Sequence, residues 1–269
     1  MKDTDKVFAG SVPALYDRYL GPLIFEPYAL DLAERLSKLA PKRILETAAG
    51  TGIVSRAIAA RLPADSAILA TDLNQPMLDH AVAETKAMNV TFGQADAQAL
   101  PFGDGAFDAV VCQFGVMFFP DKAAAFAAAR RVLKPGGRYL FNVWDRIEAN
   151  DFAHVATQSL AKLFPDNPPK FLARTPHGFH DKAAIERLLR EAGFSRVEIE
   201  TLARSSRAPS PREPAMGFCQ GSPLRGEIEA MGPGQLERAT DAVTAALAGR
   251  FGQGQIEGKI QAIVVTARC

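Results

Sequence analysis

The strongest chemical signal in the sequence is a run of small residues, ETAAGTG, over residues 46–52. The run follows a short apolar segment and precedes a helical pattern, so it occupies the turn between a strand and a helix. Small side chains let the backbone approach a ligand, and the free N–H groups at the helix start favour a negatively charged group. Two glycines alone also suit a tight turn with no ligand. The run therefore needs support from other residues.

Two acidic residues supply that support. Asp72 stands at the end of the second predicted strand, where a carboxylate can accept hydrogen bonds from both ribose hydroxyls of a nucleoside. Asp96 and Ala97 end the third strand, where a carboxylate can accept from an adenine amino group. The structural alternatives are a helix cap for Asp72 and a turn residue for Asp96. Because the carboxyl ends of parallel strands share one edge of a sheet, the three elements together predict a nucleoside-binding site.

Aromatic residues are candidates for a substrate pocket. Tyr16, Tyr19 and Tyr28 lie in the first forty residues together with Phe25, and Trp144 ends the fifth predicted strand. Rings at these positions can cover a partly apolar substrate. The alternative for each of them is simple packing on the hydrophobic core.

Two histidines in one loop are the candidates for a general base. His177 and His180 stand in the segment PHGFH, and either could take a proton at neutral pH. The alternative is a surface or capping role, and no other catalytic residue is indicated. The cysteines, Cys112, Cys219 and Cys269, are odd in number and far apart, so they predict neither a metal site nor a disulfide framework.

Strand and helix patterns must position these residues, and they alternate regularly from residue 41. Apolar strand patterns cover 43–46, 66–73, 90–97, 107–113, 138–144, 197–202 and 259–267. Helical patterns cover 53–62, 77–88, 122–133 and 181–192. This alternation predicts a parallel sheet with helices on both faces. Upstream, the first forty residues predict two helices that are broken at Gly21-Pro22, since this pair usually stops a helix.

Segment 41–145 resembles a known family. Five motifs occur there in the family's order: ILETAAGTG, ATDLNQPML, QADAQALPF, FDAVVCQFGVMFF and RVLKPGGRYLF. They resemble the class I S-adenosylmethionine methyltransferases, most nearly the ubiquinone/menaquinone-biosynthesis type, also called type 11. The resemblance implies an enzyme with a Rossmann-like three-layer α/β sandwich, whose seven-stranded sheet is mostly parallel with the last strand antiparallel. It implies S-adenosyl-L-methionine as cofactor, but it does not reveal the acceptor or the type of atom methylated.

The resemblance also relates single residues to parts of the cofactor. The residues that it implies along the methionine part are Glu46, Ala48, Gly50 and Gly52. It implies that Asp72 binds the ribose, that Leu73 packs on the adenine, and that Asp96 and Ala97 contact the adenine edge. It also implies that Gln113 faces the methionine or the sulfonium. The departure is Ala48, because the family often has glycine there. A methyl group is a small change, so we expect the turn to keep its function.

The predicted organisation has three parts. Residues 1–40 form an N-terminal helical cap, residues 41–204 and 256–269 form the core domain, and residues 205–255 form a helical insertion before the last strand. Glycine-rich breaks inside the insertion supply flexible joints. We therefore expect the cap and the insertion to act as a lid that closes over the cofactor and selects the acceptor.

Composition and charge limit the partners. Hydrophobic residues make up 48% of the 269 residues and charged residues 23%, and the net charge is +1. This balance gives no strong field for a nucleic acid or an anionic membrane, so we expect no nucleic-acid partner. Since no window of the sequence is apolar for long enough to span a bilayer, we expect no integral membrane association. The aromatic N-terminal segment and the insertion predict a small-molecule acceptor that is partly apolar. The chain starts without a signal-peptide pattern, so we expect a cytoplasmic protein. The pattern leaves monomer and homodimer open.

Two other functions share parts of this pattern. A nicotinamide-dependent oxidoreductase also uses a glycine-rich turn and a later acid, but its pattern has a third small residue at the position where this chain has Ser55. A non-catalytic module that only binds adenosylmethionine would keep the fold, although a pure scaffold has no need for a complete set of cofactor residues. Binding assays with both cofactors distinguish the first alternative, and transfer assays distinguish the second.

Overall fold

Seven strands form one sheet in the computed structural model, which describes residues 5, 8 and 10–269. The strands are β1 (Arg43–Thr47), β2 (Ala67–Asp72), β3 (Val90–Gln94), β4 (Phe107–Gln113), β5 (Leu133–Trp144), β6 (Arg196–Ala208) and β7 (Ile256–Arg268). Their order is β3-β2-β1-β4-β5-β7-β6, with β7 antiparallel to its neighbours and helices flanking the sheet. The predicted seven-stranded, mostly parallel Rossmann-like sheet is thus confirmed.

Eleven α-helices occur in the described part of the chain. They are α1 (Val12–Leu15), α2 (Glu26–Ser37), α3 (Ile53–Ala59), α4 (Gln75–Glu84), α5 (Lys122–Val132), α6 (Asp151–Leu163), α7 (Phe171–Arg174), α8 (Lys182–Glu191), α9 (Arg212–Gln220), α10 (Leu224–Glu229) and α11 (Gln235–Phe251). None of these helices has the length and apolar character that crossing a bilayer requires.

The apolar pattern of the central strands explains their burial. In β4, Val110 and Val111 point to opposite faces of the sheet, and both are fully buried. A continuous apolar run is therefore covered by helices on both faces, as expected for a parallel strand. On one face, Leu32 and Leu36 of α2 pack in a cluster with Ile44 of β1 and other buried side chains. This core holds the carboxyl ends of β1 and β4 side by side.

The predicted break at Gly21-Pro22 is wrong. The helical backbone runs without interruption from α1 through a π-helical segment, Tyr16–Phe25, into α2. Pro22 lies inside the π-helical segment. A proline has no N–H to donate and its ring crowds a carbonyl of the preceding turn, and the wider π turn relieves both problems. The pair therefore changes the winding of the helix rather than ending it.

Strand boundaries also differ from the sequence pattern. β5 begins at Leu133, directly after α5, and not at Arg138. Its pairing shifts register, because Phe107 pairs with Leu133 whereas Ala109 pairs with Arg138. The residues between Leu133 and Arg138 form an irregularity inside the strand. The KPGG sequence therefore follows helix α5 and forms a bulge in β5.

The described chain divides into two compact units. One unit contains Glu26–Val143, His180–Leu202 and Ala262–Cys269. The other contains Trp144–Phe179, Ala203–Gln261 and the described residues up to Phe25. This division differs from the expected three parts: α2 groups with the sheet, because its apolar stripe packs on α3 and β1, and α6 groups with α9 and α11. We call the first unit the sheet unit and the second the helical unit.

Candidate functional site

The turn after β1 has an unusual backbone conformation. Ala48, Gly50 and Gly52 have φ angles of 53°, 57° and 81°, all in the left-handed region. Glycine adopts this region freely, whereas alanine does so at a cost of roughly 1 kcal/mol or more. Gly52 occupies the N-cap position of α3. Three left-handed residues within five positions wind the backbone into a tight loop in front of the helix.

Glu46 lies at the end of β1 with its carboxyl group buried. The Ser55 hydroxyl donates a 2.5 Å hydrogen bond to its Oε2 atom. Burial is the main cause that raises the pKa of Glu46 to about 8, and the charge of Asp72 adds to the rise. The Ser55 bond and the charge of Arg56 act in the opposite direction. Glu46 is therefore poised to change its protonation when a cation arrives beside it.

Asp72 joins the glycine-rich turn to the segment after β2. Its Oδ2 accepts a 2.8 Å hydrogen bond from the Gly50 N–H, and its Oδ1 accepts one of 2.8 Å from the Asn74 N–H. Burial raises the pKa of Asp72, and these backbone bonds oppose the rise. Asn74, not Asp72, occupies the N-cap position of α4. The Asn74 side-chain amide also donates to Oδ1, at 3.3 Å. Because each carboxylate oxygen can accept about two donors, Oδ2 is the oxygen that can accept a further donor beside the Gly50 N–H.

The next residues along this edge include an exposed apolar side chain and a third carboxylate. Leu73 is 47% exposed although it follows a buried strand. Asp96 lies two residues beyond Gln94, which pairs with Asp72, so both carboxylates are at the same edge of the sheet. The Oδ1 atom of Asp96 accepts from the Gln98 N–H at 2.8 Å, which is the bond expected of a turn residue.

The end of β4 approaches the turn after β1. An added Cβ at Gly115 would lie 2.5 Å from the Cβ of Ala48 and 2.7 Å from the Sγ of Cys112. Real Cβ atoms do not come so close, so only glycine fits here without movement. Close packing of these two turns defines one wall of the candidate site.

Asn142 of β5 organises the same region. Its Oδ1 accepts from the N–H of Phe114, a residue with a left-handed φ of 50°. Its Nδ2 donates to Gln113 Oε1 at 3.4 Å. Asn142 is 1% exposed, so the end of β4 and the Gln113 side chain are held by bonds to a buried side chain.

Three of these contributions do not follow from the sequence pattern: the bond of Ser55 to Glu46, the close approach of Gly115 to Ala48, and the bonds of Asn142 to the β4 turn. Ser55 lies nine residues from Glu46 and Asn142 lies 28 residues from Phe114. Local patterns do not reveal such pairings. A glycine directly after the apolar β4 segment was the available signal for Gly115.

Most aromatic candidates lie in the helical unit. Tyr16 stacks on Phe25 with ring centroids 4.7 Å apart, and Phe25 lies 6.2 Å from Trp144. Tyr19 is partly buried, and Arg18 lies over its ring. Tyr28 belongs to the sheet unit, where it is fully buried. The structure therefore brings Tyr16 and Trp144 into one aromatic cluster, and it buries Tyr28 in the core of the sheet unit.

Tyr28 makes its own contacts in the sheet unit. Its hydroxyl donates to the Leu202 carbonyl at 3.0 Å, and its ring meets Phe114 edge-on at 5.4 Å. Phe114 follows Gln113 directly, so the ring supports the turn at the end of β4.

The two candidate histidines differ in their surroundings. His177 is buried in the helical unit, with its ring 6.0 Å from Trp144 and its Nδ1 atom 2.7 Å from the Asp145 carbonyl oxygen. A carbonyl oxygen only accepts, so Nδ1 carries a hydrogen and Nε2 is the basic nitrogen of the neutral ring. His180 is exposed and belongs to the sheet unit.

The edge of the sheet unit fits a nucleoside that carries a cationic amino-acid part. Asp72 offers an acceptor position for a hydroxyl donor, Glu46 offers a buried carboxyl, and Leu73 offers apolar surface.

Comparison with known proteins identifies the family. The protein-family model of a methyltransferase domain matches residues 44–137. The demethylmenaquinone methyltransferase of Thermus thermophilus is 36% identical over 185 residues, which are 64% of this chain and 82% of that protein. This chain belongs to the class I S-adenosylmethionine methyltransferases of the UbiE type.

Further comparisons agree with this family. The ubiquinone/menaquinone biosynthesis C-methyltransferase UbiE of Marinomonas is 30% identical over 59% of this chain and 68% of that protein. The phosphoethanolamine N-methyltransferase 2 of Haemonchus contortus, in a complex with phosphomonomethylethanolamine and S-adenosylhomocysteine, has the same fold. Its TM-score is 0.62 at 16% identity, over 98% of this chain and 59% of that one. The methyltransferase thus uses S-adenosylmethionine, and the comparisons favour neither an oxidoreductase nor a non-catalytic module.

Proposed function

We propose that the methyltransferase binds S-adenosylmethionine along the carboxyl ends of β1 to β4 and transfers its methyl group to a small, partly apolar acceptor. The proposed cofactor residues are Glu46, Ala48, Gly50, Gly52, Asp72, Leu73, Asp96, Ala97 and Gln113. The observation that carries the proposal is the Asp72 carboxylate, whose Oδ2 binds the Gly50 N–H and keeps an acceptor position for a ribose hydroxyl.

Each residue has a distinct part in holding the cofactor. Glu46 balances the positive charge of the methionine part. Gly50 and Gly52, in the left-handed turn, have no side chains, so the cofactor can approach the backbone there. Leu73 covers one face of the adenine, and Asp96 accepts from its amino group. Gln113, held by Asn142, faces the methionine end.

Methyl transfer depends on the alignment of the two reactants more than on reactive side chains of the protein. The sulfonium of the bound cofactor supplies a methyl group that is already activated for displacement. The chain must hold the acceptor atom in line with that methyl group and exclude water. A general base contributes only where the acceptor atom is a weak nucleophile.

The names of the relatives point to a quinone precursor as the acceptor class. An aromatic ring with an apolar tail suits the cluster of Tyr16, Phe25 and Trp144, with Tyr19 on the same segment. Tyr28, a sequence candidate for the same role, supports the β4 turn from its buried position.

A base, where one is needed, is proposed to be a histidine of the PHGFH loop. His177 has the stronger claim over His180, because its ring is buried and the Asp145 carbonyl sets its tautomer. We further propose a cytoplasmic protein with a small-molecule acceptor and no nucleic-acid partner, since the net charge is close to zero.

A transfer assay tests the proposal. Adenosylmethionine with a labelled methyl group is incubated with demethylated quinones, phenols and amines, and the labelled product is separated and identified by mass spectrometry. Label on a ring carbon of a quinone precursor supports the proposal. Label on an amine alone, with the quinones left unmodified, contradicts the proposed acceptor class.

A further inference from the structure

A buried hydrogen bond holds the carboxyl group of Glu46, one of the proposed cofactor residues. The Ser55 hydroxyl donates to Glu46 Oε2, and both residues are at most 1% exposed. Ser55 lies on the first turn of α3 and Glu46 on β1, so the bond closes the base of the glycine-rich turn. Serine is a weaker helix former than alanine, and burying a polar pair carries a desolvation cost. The hydroxyl therefore serves the Glu46 carboxyl and not the stability of the helix.

The charges around Glu46 determine its protonation. Burial brings the pKa of Glu46 to about 8, the Ser55 bond lowers it, and among the charged neighbours Asp72 raises it and Arg56 lowers it. From β4, Cys112 also faces this carboxyl, and the Glu46 charge contributes to the raised pKa of that thiol. At neutral pH, the carboxyl of the cofactor-free protein is therefore largely protonated.

We propose that Ser55 is a positioning residue that directs the Glu46 carboxyl at the amino-acid part of S-adenosylmethionine, and that this carboxyl releases its proton to solvent as the cofactor binds. The inference rests on the proposed function, in which Glu46 lines the methionine part. An ammonium or sulfonium group beside a buried carboxyl favours its ionised form. The O–H bond of the carboxyl breaks, the proton passes to the buffer, and the remaining negative charge faces the cationic cofactor.

Ser55 and the cofactor then act on the same charge. A hydroxyl donor fixed at Oε2 holds the carboxyl group in one orientation before the cofactor arrives, and it stabilises the carboxylate once the proton has left. Without this donor, the carboxylate must ionise with one stabilising bond fewer, so cofactor binding becomes weaker.

Calorimetry with adenosylmethionine and adenosylhomocysteine tests both parts. Titrations at pH 7 in two buffers of different ionisation enthalpy give the affinity and the number of protons released. The wild-type protein is expected to release nearly one proton more than Glu46→Gln, because the amide does not ionise. Comparison of these two proteins cancels the titration of the cofactor's own amino group.

Three further variants test the role of Ser55. Ser55→Ala is expected to weaken cofactor affinity about tenfold, the effect of losing a hydrogen bond to a charged group. In Glu46→Gln/Ser55→Ala, the serine change is expected to alter affinity less than about twofold, because its charged acceptor has gone. The matched control is Ser66→Ala, which removes a buried hydroxyl bond to the Pro41 carbonyl and leaves cofactor affinity unchanged.

The outcomes separate this inference from the function on which it rests. Loss of affinity in Glu46→Gln with wild-type affinity in Ser55→Ala overturns the positioning role and leaves the proposed function intact. Equal proton release by the wild type and Glu46→Gln overturns the protonation step. Wild-type affinity in Glu46→Gln removes Glu46 from the cofactor site, which contradicts the proposed function itself.

Discussion

Asp72 supports the backbone of the glycine-rich turn, and we propose that it also binds the ribose. Its two oxygens accept from the N–H groups of Gly50 and Asn74, which fixes the glycine-rich turn beside the end of β2. Because Oδ2 can accept a second donor, this structural role leaves an acceptor position for a ribose hydroxyl. The interpretation of Asp72 as a ribose ligand is therefore compatible with its support of the turn, whereas the N-cap of α4 is Asn74.

Replacing Asp72 by alanine is expected to weaken binding of adenosylmethionine by about 1.5–3 kcal/mol, since a charge-assisted bond to the ribose is lost. The protein should stay folded with reduced stability, because the Gly50 N–H also loses its acceptor. Calorimetric titration and urea unfolding measure the two effects. Unchanged affinity with lower stability would limit Asp72 to supporting the turn.

The protonation of Glu46 predicts a pH dependence of stability. Its pKa of about 8 in the folded protein exceeds the ordinary value of 4.5, so the folded state holds more protons between these values. The contribution of this group is therefore complete below about pH 4.5 and is lost as the pH rises towards 8. Urea unfolding of the cofactor-free protein from pH 5 to 8.5 should show a smaller fall in stability for Glu46→Gln than for the wild type. Parallel curves for the two proteins would contradict the raised pKa.

At the scale of elements, the turns after β1 and β4 must be small where they meet. Gly115 faces Ala48 and Cys112 at distances that leave no space for a side chain. The alanine in the left-handed region brings its own methyl group to this contact. The two turns thus form a single packed unit, so a change in one shifts the other.

Gly115→Ala is expected to destabilise the protein by about 1–3 kcal/mol, because an added methyl group must displace the β1 turn or Cys112. Cofactor affinity should fall as well, since the glycine-rich turn moves. The control is Gly226→Ala on α10, where an added Cβ meets nothing within 4 Å and helix propensity favours alanine. Urea unfolding of both variants checks the prediction, and equal stabilities would refute the steric argument.

At the scale of the whole molecule, ligand binding should stabilise the folded state. Adenosylmethionine and adenosylhomocysteine are expected to raise the melting temperature, because the cofactor residues come together only in the fold. NADH should leave it unchanged. A thermal shift assay with the three compounds makes the comparison, and a shift with NADH alone would count against the cofactor residues proposed above.

The proposed lid makes a separate prediction. Cofactor together with acceptor is expected to protect the described residues up to Phe25 and residues 205–255 from proteolysis more than residues 41–145, since mobile lids are cut first. Helix α2 is expected to resist digestion with or without ligands, because it packs in the core of the sheet unit. The glycines that flank α11, Gly234 and Gly252, have left-handed φ angles and are the expected joints. Mass spectrometry of limited digests identifies the cleaved sites. The same digestion pattern with and without the two ligands would contradict the proposed lid.

Sequence patterns alone predict the alternation of strands and helices and the common edge of Glu46, Asp72 and Asp96. Apolar periodicity and turn residues are local properties, so they mark the strands and the turns after them without any knowledge of the partners. The order in which parallel strands end at one edge follows from the same alternation.

The contacts that complete the candidate site are visible only in the folded chain. The bond from Ser55 to Glu46, the hold of Asn142 on the β4 turn and the approach of Gly115 to Ala48 join segments that are separated in the sequence. The continuous helix through Pro22 likewise depends on a winding that local propensity does not express. Propensity describes a residue and its neighbours along the chain, whereas these features depend on which atoms meet after folding.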